Sequence, residues 1–249
     1  MVERTEHVMG MPVTATVRDP GFDPRALDAA FAELRAVDAR FSTYRADSEV
    51  SRLARGELAP GRASPLVQEV LARCEALRKQ TGGAFDAYAG GALDPSGYVK
   101  GWALQRASEL IDARELCLDG GGDLVLRGGP WRVGICHPLE HGRLCSVLEL
   151  GDRAVATSAT YERGEHILDP RTGRPARGVL SVTVTGPELA TADAYATAAF
   201  AMGAAGPAWT AGLDGYEAMT VLEGGRVLCT RGFTGRSPRA HVVVRAKAA

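Results

Sequence analysis

The sequence predicts an α+β fold of mixed or antiparallel sheets flanked by helices. Two observations carry this: apolar residues recur at helical spacing in the early segments, and short alternating runs separated by glycine fill the middle of the chain.

The first expected element is a strand in "MGMPVTATVR", where Val13, Ala15 and Val17 alternate with polar neighbours. "FDPRALDAAFAELRAVDARFS" follows as a helix. Asp23 and Pro24 form an N-cap and first-turn pair, and Leu27, Phe31, Leu34, Val37 and Phe41 fall on one face. A second helix runs from Ser64 and Pro65 through Leu66, Val70, Cys74 and Leu77, and stops at "TGG", where Gly82 takes the left-handed cap. "VKGWALQRASELI" reads as a third helix. From Leu116 onward "LCLD", "DLVLR", "WRVGI", "CSVLEL", "RAVATS" and "LSVTVTG" read as strands. The helix "TADAYATAAFAMG" comes next, built largely from alanine. Gly224 and Gly225 between two apolar runs predict a hairpin, and "HVVVRA" a last strand.

The chain of 249 residues is long enough for a sizeable core and is expected to form one domain over residues 1–249; two lobes with the active site between them are the open alternative. Its net charge of -1 offers no general attraction to nucleic acid or an anionic membrane. The N-terminal "MVERTEHVMG" lacks the apolar core of a leader, and no run is long enough to span a bilayer, so a cytoplasmic protein with no membrane anchor is expected. Five scattered cysteines without CxxC spacing fit reduced, mostly buried thiols better than a disulfide frame or zinc site.

Four stretches can carry chemistry. The glycines of "QTGGAFDAYAGG" would let backbone approach a bulky ligand, although Asp86 also reads as a turn residue. "LDGGGDLVLRGG" can present backbone N–H groups to an anion or serve as a tight strand connection; it is neither a Walker A loop nor a GxGxxG turn. In "EHILDPRTGRPA", His166 stands just before two turn dipeptides, as a general base or a structural histidine. In the alanine-rich helix, Asp193 and Thr197 lie four residues apart and share a face. They fit either two ligands of one hard cation or local chemistry, with Thr191 or Asp193 capping the helix start and Thr197 bonding back to the preceding turn.

Taken in order, "FSTYRADSEVSRL", "TGGAFD", "GYVKGWA", "GGGDL", "HILDPRTGRPA" and "ADAYATAAFAMG" resemble the ApbE-type FAD:protein FMN transferases over nearly the whole chain. The resemblance implies an ApbE-like, T-fold-like architecture. It implies an enzyme that takes FAD, uses magnesium (Mg2+), and joins FMN by a phosphoester to a Thr or Ser hydroxyl of a target flavoprotein, releasing AMP. The family's metal ligands fall on Asp193, Thr197 and the backbone carbonyl of Val99. Its FAD-binding positions fall on Met11, Tyr44, Ala84, Phe85, Asp86, Lys100 and Ile167, and its catalytic histidine on His166. In this reading Tyr44 packs on a flat ring, Asp86 accepts from an adenine amino group or ribose hydroxyl, and Lys100 offsets diphosphate charge. His166 takes the proton of the attacking hydroxyl.

Two departures from the family pattern stand out. Only "AYAGGALDPSGY" and Val99 separate "TGGAFD" from the Lys100-Gly101 pair, so one wall of the pocket is expected to be rebuilt or open, and Gln105 replaces a frequent acid. Two other functions share these residues: an FAD pyrophosphatase giving FMN and AMP, and a non-catalytic FAD-binding protein.

Overall fold

The computed structural model describes residues 1–140, 142–160 and 167–235, together with the backbone of 244–245. The order of elements is β1 (Val2–Val8), β2 (Met11–Val17), α1 (Asp28–Phe41), α2 (Glu49–Ala54), α3 (Pro65–Gln80) and α4 (Ser96–Glu109). Then come β3 (Leu116–Gly120), β4 (Asp123–Arg127), β5 (Trp131–Cys136), β6 (Leu144–Leu150), β7 (Arg153–Ala159), β8 (Leu168–Asp169), β9 (Arg174–Pro175) and β10 (Val179–Gly186). The chain continues through α5 (Leu189–Ala201), α6 (Gly206–Thr210), β11 (Glu217–Leu222), β12 (Val227–Cys229) and β13 (Val244–Arg245).

Eight strands form one sheet in the order β1-β2-β3-β4-β7-β10-β11-β12, antiparallel at every pairing, while β13-β5-β6 form a smaller sheet. Strand β13 joins β5 in parallel, so the α+β architecture is mixed overall. The large sheet is buried on both faces, as the two-residue side-chain period explains. Leu118, Val125, Ala154, Ala156, Val182 and Val184 point into a core shared with α1, α3, α4 and α5. Their neighbours Cys117, Leu124, Leu126, Val155, Met219 and Val221 point the other way, onto Trp131, Val133, Ile135 and Leu148 of the small sheet.

The expected helices are present. Asp23 accepts a hydrogen bond from Arg25 N at 2.9 Å, and a 3-10 turn at Pro24–Leu27 leads into α1. Leu27, Phe31, Leu34, Val37 and Phe41 are all buried. In α3, Val67 takes the buried position expected of Leu66, which is only partly covered. The hairpin at Gly224 and Gly225 forms with φ of +87° and +82°. Strand β1 is an addition: between Val2 and Val8 it is wholly polar, and Glu3, Thr5 and His7 are exposed, because it is the sheet's edge, where one side of the strand faces water. Only two of the five cysteines, Cys74 and Cys117, are fully buried, and burial pushes both thiols up to about 12. Cys229 is exposed because β12 is the other edge strand. Among the described residues no helix is long and apolar enough to cross a membrane.

Helix α5 decides where everything else stands. It lies between α4 and strands β7 and β10, and Ala192, Ala194, Ala196, Ala198 and Ala199 have no solvent exposure. A helix apolar all round belongs inside a protein, and alanine lets neighbouring backbones approach it closely. Gly101 of α4 completes the contact. A Cβ there would stand 2.7 Å from the Leu189 carbonyl oxygen and 2.9 Å from Asp193 Cβ, so only glycine fits without a shift.

Candidate active site

Three local structures bring the predicted residues together. After α3, Thr81 Oγ1 donates to the Leu77 carbonyl at 2.8 Å and accepts from Phe85 N at 3.0 Å, while Gly82 and Gly83 take φ of +61° and +86°. This turn drives Phe85 inward, to 3% exposure, and leaves Ala84 and Asp86 on a rim. The short segment that follows is folded rather than open. Tyr88 N donates to Asp86 Oδ1 at 2.9 Å, and Asp94 N returns to the Ala87 carbonyl at 2.7 Å. These tight turns bring Ala87, Ala89, Gly90 and Asp94 to the lining of a cleft.

The loop before α2 presents Tyr44. Ser48 caps α2 by accepting from Ser51 N at 3.0 Å and donates to the Ser42 carbonyl at 2.7 Å, which fastens the loop back to the end of α1. Glu49 ties it further, to Arg40 Nε at 3.0 Å and Ser64 N at 2.6 Å. Tyr44 projects from this anchored loop with 93% of its surface exposed. A large exposed aromatic on a well-braced loop is a ready platform for a flat ring.

Two clefts open on either side of Tyr44 and Ser96, which line both. One, of about 420 Å³, is bounded by Ala84, Phe85, Asp86, Ser158, Ile167 and Thr197 among others. The other, of about 500 Å³, is bounded by Met9, Gly10, Phe41, Val99 and Lys100 among others. Met11 is buried and lines neither of these clefts, its sulfur facing Gly121 of the β3–β4 turn. His166 lies outside the described residues, while its neighbour Ile167 closes the first cleft.

The two side chains of α5 have distinct settings. Asp193 is 3% exposed, and its Oδ2 accepts from Gly101 N at 3.1 Å. It does not cap α5. The helix begins at Leu189, whose N–H is capped from α4 by Gln105 Oε1 at 3.0 Å, and this gives the unexpected glutamine its role. Thr197, one turn further, faces the first cleft with its hydroxyl 3.4 Å from Ser158 Oγ. Helix α4 begins at Ser96, earlier than "VKGWA" suggests, so Val99 lies within its first turn and its carbonyl points along the helix. No group of three or more His, Cys, Asp or Glu suited to a metal is found among the described residues. A cation here would be held by one carboxylate together with hydroxyl and main-chain oxygens.

Three participants escaped the sequence reading: Ser96, Ser158 and Asp123. Asp123 is fully buried, with Oδ1 accepting from Thr157 N at 3.1 Å and the Lys100 ammonium 2.8 Å from Oδ2. Near it, Asp119 accepts from Gly122 N at 2.9 Å, and burial, followed by repulsion from Asp123, pushes its carboxyl up to about 6. "LDGGGDL" is thus a tight strand connection, with φ of +61° and +94° at Gly121 and Gly122. Its aspartates rather than its amides face Lys100.

Comparison with known proteins follows the same lines. The ApbE family matches residues 9–93 and 89–220. An FAD:protein FMN transferase of Rhodobacter capsulatus is 40% identical over 121 residues, which cover 43% of this chain and 23% of that protein. Another, of Vibrio cholerae, is 33% identical over 129 residues, 45% of this chain and 39% of that protein. Each alignment therefore spans less than half of the relative's length. Among solved structures, the flavin transferase ApbE of Vibrio cholerae matches with a TM-score of 0.82 at 24% identity, over 93% of this chain and 97% of that one. The ApbE protein of Thermotoga maritima matches with a TM-score of 0.80 at 26% identity, over the same shares.

Proposed function

This chain belongs to the ApbE family, and from that premise we propose that it is a magnesium-dependent FAD:protein FMN transferase. It attaches FMN by a phosphoester bond to a Thr or Ser of a target flavoprotein and releases AMP. The observation that carries this reading is the pair of clefts joined at Tyr44 and Ser96, with Lys100 bordering one and Thr197 the other. A dinucleotide has two flat ends and an anionic middle, and the paired clefts offer it an aromatic platform, a cation and hydroxyl groups.

The donors fit magnesium, a hard cation that takes oxygen ligands. Asp193 and Thr197 supply a carboxylate and a hydroxyl from one face of α5, and the Val99 carbonyl is the main-chain oxygen. The absent side chain at Gly101 lets α4 pack closely against Asp193 on α5. Bound there, magnesium would neutralise charge on the diphosphate as it divides.

The chain's own residues supply the rest. Tyr44 and the buried Phe85 border the flat portions of FAD, and Asp86 accepts from an amino or hydroxyl group at the rim. Lys100 contributes a fixed positive charge. The acceptor hydroxyl attacks the FMN phosphorus, the bond from that phosphorus to the bridging oxygen breaks, and AMP leaves with that oxygen. His166 takes the hydroxyl proton, a task suited to an imidazole that is largely neutral near pH 7.

The test is incubation with FAD, magnesium and a Thr-bearing target protein, reading protein-bound FMN by mass and AMP by chromatography. The wild type is expected to produce both in equal amounts, and Asp193→Asn to lose magnesium-dependent turnover while it keeps an acceptor for Gly101 N. FMN and AMP formed without any protein-bound FMN would replace transfer by pyrophosphate hydrolysis. Tight FAD binding indifferent to magnesium and to His166→Ala would replace it by simple flavin binding.

A further inference from the structure

Strand β7 and helix α5 meet across a run of small side chains. The two-residue period of β7 turns Ala154, Ala156 and Ser158 to the face of the sheet that carries α5. On α5, Ala194, Ala196 and Ala198 are wholly buried, and Thr197 stands among them. Two hydroxyls therefore face each other where the neighbouring side chains are mostly alanine. Ser158 is 6% exposed, and its Oγ lies 3.4 Å from Thr197 Oγ1. Both residues line the first cleft, and the flavin-transfer reading gives work only to Thr197.

Stability does not account for this pair. Two hydroxyls bond best at about 2.7–2.8 Å, so a contact of 3.4 Å is weak. A poorly partnered hydroxyl taken out of water costs free energy that alanine at the same place would not. A cation does account for it. A threonine hydroxyl has one proton and two lone pairs. When a lone pair binds a cation, the proton stays on the oxygen and needs an acceptor of its own. Inside a helix the usual acceptor is the carbonyl four residues earlier. Thr197 instead reaches across to β7, where Ser158 Oγ is the one hydrogen-bond partner its hydroxyl has among the described residues. A proton sent to Ser158 leaves the Thr197 lone pairs turned away from β7.

We propose that Ser158 is a positioning residue for the metal site: its hydroxyl oxygen accepts the Thr197 proton and so aims a Thr197 lone pair at the magnesium ion. This rests on the magnesium-dependent transfer reading above, in which Thr197 is a ligand. Ser158 itself touches neither the ion nor FAD, so its effect passes wholly through Thr197. A cation on the Thr197 oxygen also makes that hydroxyl a stronger donor. The 3.4 Å contact is therefore expected to close to about 2.8 Å when magnesium binds.

Ser158→Ala is the informative variant, since it removes the acceptor and continues the alanine run. Magnesium is titrated into the protein holding FAD, with no acceptor protein present, and binding is read as heat. The magnesium dissociation constant is expected to rise roughly 10- to 100-fold, the range for partners that orient a metal ligand. The FAD dissociation constant without magnesium should stay within about twofold, the scatter expected where no contact is lost. Ser158→Thr, which keeps a hydroxyl, should recover part of the magnesium affinity. Thr197→Val should weaken magnesium binding, and adding Ser158→Ala to it should bring no further loss. Unchanged magnesium affinity in Ser158→Ala, losses that multiply in the double variant, or an equal weakening of FAD binding without magnesium would each overturn the proposal. If Ser158→Ala fails to fold, Ser158→Cys, close in volume but a poor acceptor, takes its place in the cycle. A wild type that binds no magnesium would instead refute the metal reading itself.

Discussion

Gly101→Ala tests the geometry on which the metal site depends. The new methyl carbon would lie 2.9 Å from Asp193 Cβ and 2.7 Å from the Leu189 carbonyl oxygen. Carbon atoms pack best at about 3.5–4.0 Å, so α4 and α5 must separate by roughly half an ångström or more. Such overpacking costs about 1–3 kcal/mol. Replacing glycine by alanine inside a helix returns about 1 kcal/mol. The net loss, about 1 kcal/mol, lowers Tm by about 2–4 °C in a chain of this size. The functional effect is larger. The Gly101 N–H to Asp193 Oδ2 bond, now 3.1 Å, stretches with the helices. An added half-ångström takes it to about 3.6 Å, beyond hydrogen-bond range, and frees the carboxylate to turn. The magnesium concentration for half-maximal turnover should rise about tenfold. Calorimetry and a magnesium titration measure both, with Gly61→Ala as control, since a Cβ at Gly61 meets nothing within 4 Å. A Gly101→Ala protein as stable as the wild type, with an unchanged magnesium requirement, would refute the close-packing argument.

Two further predictions follow from particular side chains. Tyr44→Ala should leave Tm within about 1–2 °C, because an exposed side chain contributes little to folding, yet weaken FAD binding about tenfold through the lost ring contact; fluorescence titration reads the second, and unchanged affinity would remove Tyr44 from the site. Burial raises the Asp119 carboxyl from 3.8 to about 6, so it favours the folded state at pH below about 4, and that contribution is lost as pH rises through about 6. Asp119→Asn keeps an acceptor for Gly122 N and removes the charge; it should therefore gain stability over the wild type between pH 4 and pH 7.5, by at most about 3 kcal/mol. A Tm difference that is the same at both pH values would show that Asp119 does not titrate in this range.

Local chemistry made much of the fold readable. The apolar stripe from Leu27 to Phe41, the Thr81-Gly82-Gly83 stop and the alternating runs after Leu116 each became the expected element, because period and turn residues act within a few neighbours. The site was legible mainly through its similarity to a known family. On its own residues, Asp193 fitted a helix cap as well as a cation ligand, and the backbone settled against the cap: α5 starts at Leu189, and Gln105 from another helix closes it.

What the chain order by itself determined were the elements and the residue types able to bind an anionic, flat ligand. Which strands share a sheet was decided by tertiary structure: β5 and β6 look like their neighbours in sequence, yet they leave the large sheet and cover its second face. The partnership of Asp123 with Lys100, 23 positions apart, and of Gly101 with Asp193, 92 apart, was decided there too. Such pairs carry no local signature. They arise when distant backbones are brought together by close packing of small residues, and only the folded chain fixes that distance.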